Sequence, residues 1–466
     1  MPAAARADLA VLSNRGPLAF THDDRGKLVI SRGGGGLVST LSPGVSQHGA
    51  LWLATAISAA DREAAAAGVV EEEGFRLRSL VIAEDRYRAY YDVIANGTFW
   101  FLHHGLWDLP RRPRFDRRWW EAWQAYKDVN STFATAAADS VAEGGTVLIE
   151  DYHLSLVGAE LSRLRPDLRT AVFVHTPFCT PSELGTLPDQ VAEAMLAGFA
   201  GAGACGFHCA RWADAFVACC AEVLGVVPRT FITPAAPDPS ELVKVAASAE
   251  CDQALAELER AVGARKLIVR VDRIELSKNL LRGFYAFDDL LEQAPSLRGE
   301  VTFAAFVYPS REGLAEYLGY RQEVETLVRR INNRWATAGW TPIVLDTRDD
   351  YPRSVAALRR YDVLLVNPVR DGLNLVAKEG PLVNERDGVV ALSREAGVWD
   401  ELGAHALEIH PFDVATTSDT LRRALDLDPG ERAVRAAALR GLASTRTPLD
   451  WFADQVAAAR PAPASG

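Results

Sequence analysis

Residues 363–379 read VLLVNPVRDGLNLVAKE. The first four form an uninterrupted apolar run, the pattern of a strand buried on both faces of a parallel sheet. Asn367-Pro368 ends the run, Asp371-Gly372 supplies turn chemistry, and helical composition follows. Strand, turn and helix in this order make an α/β unit, and the turn 370–374 lies at the strand's carboxyl end, where open parallel sheets bind ligands. Its amides would face an anion at a helix start. Glu379, inside the helix, is placed to accept hydrogen bonds from ribose hydroxyls.

The same alternation extends in both directions. Runs 266–271 (KLIVRV), 301–307 (VTFAAFV), 342–345 (PIVL) and 389–392 (VVAL) read as buried strands separated by helical segments. Upstream, a proline-rich stretch at 228–240 marks a linker, and before it 8–13 (DLAVLS), 27–31 (KLVIS), 99–103 (FWFLH), 146–149 (TVLI) and 170–174 (TAVFV) have strand character. A helical segment near 154–165 separates the last two, which implies a parallel βαβ unit. The chain therefore reads as α/β: two Rossmann-like, doubly wound domains facing each other across a cleft. Residues 1–235 form the first, 236–446 the second, and 447–466 a final helix and tail expected to pack back on the first. The alanine-rich segments 59–67 and 433–444 read as solvent-facing helices.

Composition narrows the partners. The 466 residues carry 50 Lys+Arg against 61 Asp+Glu, a net charge of −11, which argues against a nucleic-acid binder. The cluster 111–120 (RRPRFDRRWW) is then a solvated loop rather than a nucleic-acid patch. Six cysteines in such a length make no disulfide framework and read as reduced core thiols; Cys205 and Cys209 lack the partners of a zinc site. Residues 1–14 lack an apolar segment followed by a cleavage site, and the uncharged stretches 33–60 and 194–210 are too rich in Gly, Ser and Thr to span a membrane. A cytoplasmic protein is expected, and homo-oligomers remain open.

Chemistry concentrates at strand ends. Arg273 and Lys278 (RIELSK, 273–278) follow the strand 266–271 directly, and two cations there suit a diphosphate. The run Gly33-Gly34-Gly35-Gly36 precedes a helix and would let amides approach a phosphate. It matches neither GxxxxGK[ST] nor a clean GxGxxG after the first strand, and taken alone it also fits a connecting turn.

Further stretches extend these: SNRGP (13–17), GGL (35–37), YYDVIANGTFW (with its flanks), DYHL (151–154), HTPF (175–178), YPSR (308–311), GWTP (339–342) and HPFD (410–413). In order across both halves, together with RIELSK and RDGLNLVAKE, they resemble the trehalose-6-phosphate synthases of glycosyltransferase family 20, actinobacterial type. The resemblance implies a retaining, nucleotide-sugar-dependent enzyme of GT-B architecture. It implies Arg15, Tyr91 and Arg311 at the acceptor phosphate, Trp100 and Asp151 beside the acceptor sugar, and His175 at the transferred sugar. Gly35, Gly36, Arg273 and Lys278 would serve the diphosphate; Asp371 the sugar hydroxyls; Gly372, Asn374, Leu375 and Val376 the rest of the donor loop; and Glu379 the ribose. Catalysis would rest on Asp151, His175, Arg273 and Lys278.

The resemblance implies glucose transfer from GDP-glucose or UDP-glucose to glucose 6-phosphate. No cofactor or metal is expected, because lysine, arginine and amides already neutralise the leaving diphosphate and no DxD-type motif sits in a suitable loop. Nor do these motifs pair a second carboxylate with Asp151 or Glu379, so a front-face reaction is favoured over a covalent intermediate. Other readings keep the fold: a pseudoglycosyltransferase of the validoxylamine 7′-phosphate type, a glucosylglycerol-phosphate synthase, or a non-catalytic sugar-nucleotide-binding regulator. Departures at 179–183, 234–238 and 393–397 leave the donor base open. The acidic loop 345–350 (LDTRDD) favours guanine, whose N1–H and N2–H₂ suit a carboxylate; the same aspartates could instead cap the helix starting near Arg353.

Overall fold

The computed structural model describes residues 6–33 and 36–461. They fall into two compact units, one of residues 1–235 with 448–466 and one of 236–447.

Among its described residues the first unit has ten strands: β1 Ala7–Leu12, β2 Leu18–His22, β3 Leu28–Arg32, β4 Leu51–Thr55, β5 Val69–Glu72, β6 Phe75–Leu80, β7 Val141–Glu150, β8 Arg169–Val174, β9 Ala204–Phe207 and β10 Thr230–Ile232. Eight of them form one sheet in the order β10-β9-β8-β7-β1-β4-β6-β5, parallel except for the β5–β6 pair. All five residues of β4 (LWLAT) are buried, as a strand covered on both faces requires. The strand order reverses between β1 and β7, so their carboxyl ends, at Ser13-Asn14-Arg15 and Glu150-Asp151, border the crevice where such sheets bind ligands.

Two strand expectations change. KLVIS does not enter the sheet; it pairs antiparallel with β2 as a separate hairpin. Residues 99–103, expected as a strand, end a π-helix, Ala89–Trp100, and continue into the short helix Phe101–His104. The apolar run misled because Tyr90, Ile94, Ala95, Phe99 and Leu102 are all buried along one helical flank. That flank meets the helix Arg117–Ser140 edge-on, with Phe99 5.4 Å from Tyr126 and 6.2 Å from Trp123. The wider π turn shows in Thr98 Oγ1, which donates to Val93 O at 2.8 Å, five residues back.

The helix Pro448–Ala458 closes this unit. Trp451 and Phe452 are fully buried, and Phe452 packs so tightly on the helix Gly36–His48 that a Cβ at Gly44 would lie 2.2 Å from its ring. Thr233 Oγ1 donates to Asp454 Oδ2 at 2.7 Å, tying the end of the main segment to the returning helix.

The second unit is an all-parallel sheet of β11 Lys266–Ile274, β12 Val301–Pro309, β13 Ile343–Asp346, β14 Val363–Val366, β15 Val389–Ser393 and β16 Leu407–Ile409. Its order, β13-β12-β11-β14-β15-β16, is that of a dinucleotide-binding sheet, with the switch point between β11 and β14. Among the described residues no helix is long and apolar enough to cross a membrane, and all six cysteines are buried, none of them in a disulfide.

Trp451→Ala should lower the stability of the first unit by about 3–5 kcal/mol, the usual loss for a fully buried tryptophan. Urea unfolding checks this, and an unchanged midpoint would contradict the closing role of the helix.

Candidate active site

In the first unit the site grows from the ends of β1, β7 and β8. After β1, Ser13 Oγ accepts from Trp52 Nε1 at 2.7 Å and donates to Arg15 O at 2.6 Å, fixing the turn that carries the exposed Arg15. Asn14 Nδ2 donates to Tyr87 Oη at 3.1 Å, and Tyr87 stacks on Tyr91 at 5.4 Å. Burial drives the Tyr87 phenol well above its ordinary range, while the nearby Arg15 charge pulls the other way. Tyr91 in turn stacks on His153 at 5.6 Å. Trp100, at the end of the π-helix, is buried against His104 and Tyr152.

Asp151 has φ +73°, a region few non-glycine residues adopt, and such strain gathers at functional sites. Its Oδ1 accepts from the His175 backbone N–H at 3.2 Å, and its Oδ2 lies 3.7 Å from His153 Nδ1. Burial alone would raise its pKa, but the His153 hydrogen bond and the neighbouring imidazoles of His175 and His153 prevail and hold it at about 2. Glu150, fully buried, bonds His175 Nε2 at 2.8 Å. It is therefore already engaged and not a second free carboxylate beside Asp151.

Gly36 begins the helix Gly36–His48; Gly35 lies outside the described residues. Gly33 donates to Pro17 O at 2.7 Å, and a Cβ there would fall 2.5 Å from Gly16 O, so the approach of the glycine loop to the turn after β1 requires glycine.

In the second unit the loops after β11 and β14 meet across the switch point. Lys278 Nζ donates to Asp371 Oδ2 at 2.6 Å, and Asn374, at φ +88°, donates from Nδ2 to the same oxygen at 3.1 Å. Burial would lower the Lys278 pKa, but the carboxylates of Asp371 and Asp272 outweigh it and the ammonium stays charged. Arg273 lies 3.2 Å from Glu275 Oε1, which also accepts from Ser310 Oγ and Arg311 Nη1. Burial favours the neutral acid of Glu275, yet Arg273, Arg311 and Lys278 hold it ionised, with a pKa of about 2.

Beneath this loop Arg270, wholly buried, binds Asp272 at 2.9 Å, Lys278 O at 2.6 Å and Asn367 Oδ1 at 2.5 Å. Leu375 and Val376 open the helix Val376–Val383, and Asp371 N–H donates to Glu395 O, tying Gly372 and its neighbours to the loop after β15. Glu379, on that helix, accepts no hydrogen bond among the described residues, and burial pushes it up to about 7. In the acidic loop, Asp346 is occupied by Arg348 and Arg353 and Asp350 caps the helix Tyr351–Arg360, while the charge of Asp349 reaches Tyr308 at the end of β12.

The first unit thus gathers Arg15, Tyr91, Trp100, Asp151 and His175, and the second gathers Arg273, Lys278, Arg311, Asp371, Gly372, Asn374, Leu375, Val376 and Glu379. Sequence reasoning missed Glu150, Arg270 and the sharing of Glu275. Arg270 carried a signal: a charge in the apolar run KLIVRV demands buried partners. Among the described residues no cluster of three or more His, Cys, Asp or Glu side chains could hold a metal ion.

The model of glycosyltransferase family 20 matches residues 7–460. A trehalose-6-phosphate synthase of Mycobacterium sp. (strain JLS) is 32% identical over 93% of this chain and 92% of its own. An E. coli structure bound with UDP-2-fluoro glucose superposes with a TM-score of 0.84 at 26% identity, covering 97% of this chain and 98% of that one. A UDP-forming counterpart, the α,α-trehalose-phosphate synthase of Burkholderia xenovorans in complex with glucose-6-phosphate, gives 0.84 at 26%, over 97% and 99%. The fold is GT-B, as the sequence motifs implied.

Because Glu379 is protonated more readily folded (about 7) than unfolded (4.5), its burial favours the fold below pH 4.5 and this contribution is lost as pH rises through 7. Glu379→Gln, which cannot ionise, should become progressively more stable than wild type between about pH 4.5 and 7 in urea titrations; a pH-independent difference would refute the shift.

Proposed function

The chain belongs to glycosyltransferase family 20, and from that membership we propose that it transfers glucose, with retention, from a nucleotide-glucose to glucose 6-phosphate, giving α,α-trehalose 6-phosphate and a nucleoside diphosphate. One observation carries the reading: Arg273 near the carboxyl end of β11 and the half-buried Lys278 in the turn after it stand at the switch point, with Asp371 on the neighbouring loop. Two fixed cations beside a sugar-binding carboxylate suit a glycosyl diphosphate. The Mycobacterium and Burkholderia relatives named above support the same activity.

In this reaction the bond between the anomeric carbon and the β-phosphate oxygen breaks as Arg273, Lys278 and loop amides take up the developing charge. The acceptor hydroxyl attacks the same face through an oxocarbenium-like state, and its proton passes to the departing phosphate oxygen. Asp371 holds sugar hydroxyls and Glu379 the ribose, a carboxylate that donor binding would favour ionised. Glu150 is bonded to His175 and Asp151 is held at low pKa by its histidines, so Asp151 acts as a charge and acceptor beside the sugar rather than as a general acid. Arg15 and Tyr91 serve the acceptor phosphate. Metal is not needed, since the cations supply the neutralisation.

The test is nucleoside diphosphate release from donor plus glucose 6-phosphate, with glucose as the control acceptor. Glucose 6-phosphate should be strongly preferred, and equal use of both would sink the phosphate site. Lys278→Ala and Arg273→Ala should each reduce kcat by about 10²–10³, with smaller effects on donor binding; unchanged turnover in well-folded variants would remove their role.

For the base, we favour GDP-glucose over UDP-glucose, with Asp349 as the acceptor for guanine. Wild type should show the higher kcat/KM with GDP-glucose, and Asp349→Asn should narrow the gap while Asp346→Asn does not. A wild-type preference for UDP-glucose would overturn the base assignment.

A further inference from the structure

Adjacent residues of a strand point to opposite faces, so Glu150 and Asp151 would ordinarily diverge. They do not. The left-handed φ of +73° at Asp151 breaks the alternation at the end of β7, and both carboxylates reach His175 on β8's extension: Asp151 Oδ1 takes its backbone N–H at 3.2 Å and Glu150 Oε2 meets its Nε2 at 2.8 Å. Glu150 has no exposed side-chain surface, whereas the His175 side chain keeps 19% of its own.

Around the imidazole stand Phe173 at 4.9 Å, His208 at 5.2 Å on the end of β9, and Trp451 at 5.6 Å on the closing helix. The charged and titratable groups facing it within this unit are therefore Glu150, Asp151 with its partner His153, and His208. The hydrogen bonds to His175 use its backbone N–H and Nε2; none is made to Nδ1 among the described residues. Burial raises the Glu150 pKa, but its hydrogen bond to His175 opposes that shift; as an acceptor in that bond it requires the proton on Nε2. The second nitrogen is then the ring's remaining polar atom.

We infer that Glu150 is a positioning residue for His175: it fixes the Nε2-protonated ring and its orientation, so that Nδ1 is the atom His175 offers to a hydroxyl of the transferred sugar. The inference rests on the transferase reading for the identity of that hydroxyl, but not for the state of the pair. Such a partner acts through the group it orients, as the carboxylates behind metal-binding histidines do. Its neighbours make the arrangement costly to replace, because a buried glutamate without its imidazole would be an uncompensated charge.

Two measurements test it. In wild-type protein with ¹⁵N-labelled histidines, the His175 ring should carry its proton on Nε2 at neutral pH; a ring protonated on Nδ1 alone would overturn the proposal without any assay of turnover. Glu150→Leu keeps the volume but accepts no hydrogen bond, and should lose about ten- to a hundredfold in kcat with the KM of donor and acceptor nearly unchanged. Glu150→Gln still offers an acceptor and should recover part of that loss. Equal kcat in wild type and both variants, or losses carried by KM, would refute the positioning role. If Glu150→Leu does not fold, the ring's protonation in wild type decides. Wild type that makes no trehalose 6-phosphate while His175 carries the Nε2 proton would defeat the transferase reading and leave the pair intact.

Discussion

The 2.6 Å bond between the Lys278 ammonium and the Asp371 carboxylate holds the loops of the second unit in order. It joins the loops after β11 and β14, the two strands that border the switch point, and it forms where neither partner is open to much solvent. A buried charge needs a fixed partner, and the requirement propagates inward. Asp272 lies 4.0 Å from Lys278 and binds Arg270, while Arg270 spans to Lys278 O and Asn367. Glu275 does the same for Arg273 and Arg311. The cations are thus oriented before any ligand arrives, which is what stabilising a departing diphosphate demands.

In the first unit strained backbone does comparable work. The positive φ of Asp151 turns two consecutive carboxylates toward one histidine, and the His153 contact keeps Asp151 ionised. The aromatic stack Tyr87–Tyr91–His153 runs beside it from the Arg15 turn. Glu150 and Asp151 are thus committed as acceptors, in keeping with the proposed front-face chemistry.

Much of this was legible in the sequence. RIELSK and RDGLNLVAKE announce themselves because each follows a largely apolar strand, and the short buried strands of the second unit are too apolar to be anything else. What was hidden depended on tertiary geometry. The run 99–103 looks like a strand by composition, but its aromatics are spaced to meet Trp123 and Tyr126 on a helix. Glu150 reads as a polar strand end until the backbone at Asp151 is known, and the aspartates of 346–350 divide into an arginine clamp, a helix cap and one remaining carboxylate only once Arg348 and Arg353 are located.

The proposed roles of Arg273 and Lys278, drawing off the diphosphate while the acceptor attacks the same face of the sugar, are tested most directly by the stereochemistry of the product. Proton NMR during turnover with an α-configured donor should show the disaccharide phosphate appearing with only α anomeric protons, with the small couplings of the α,α linkage and with no β-linked product at any time. A β linkage to the transferred glucose would mean inversion and would contradict the front-face reaction outright.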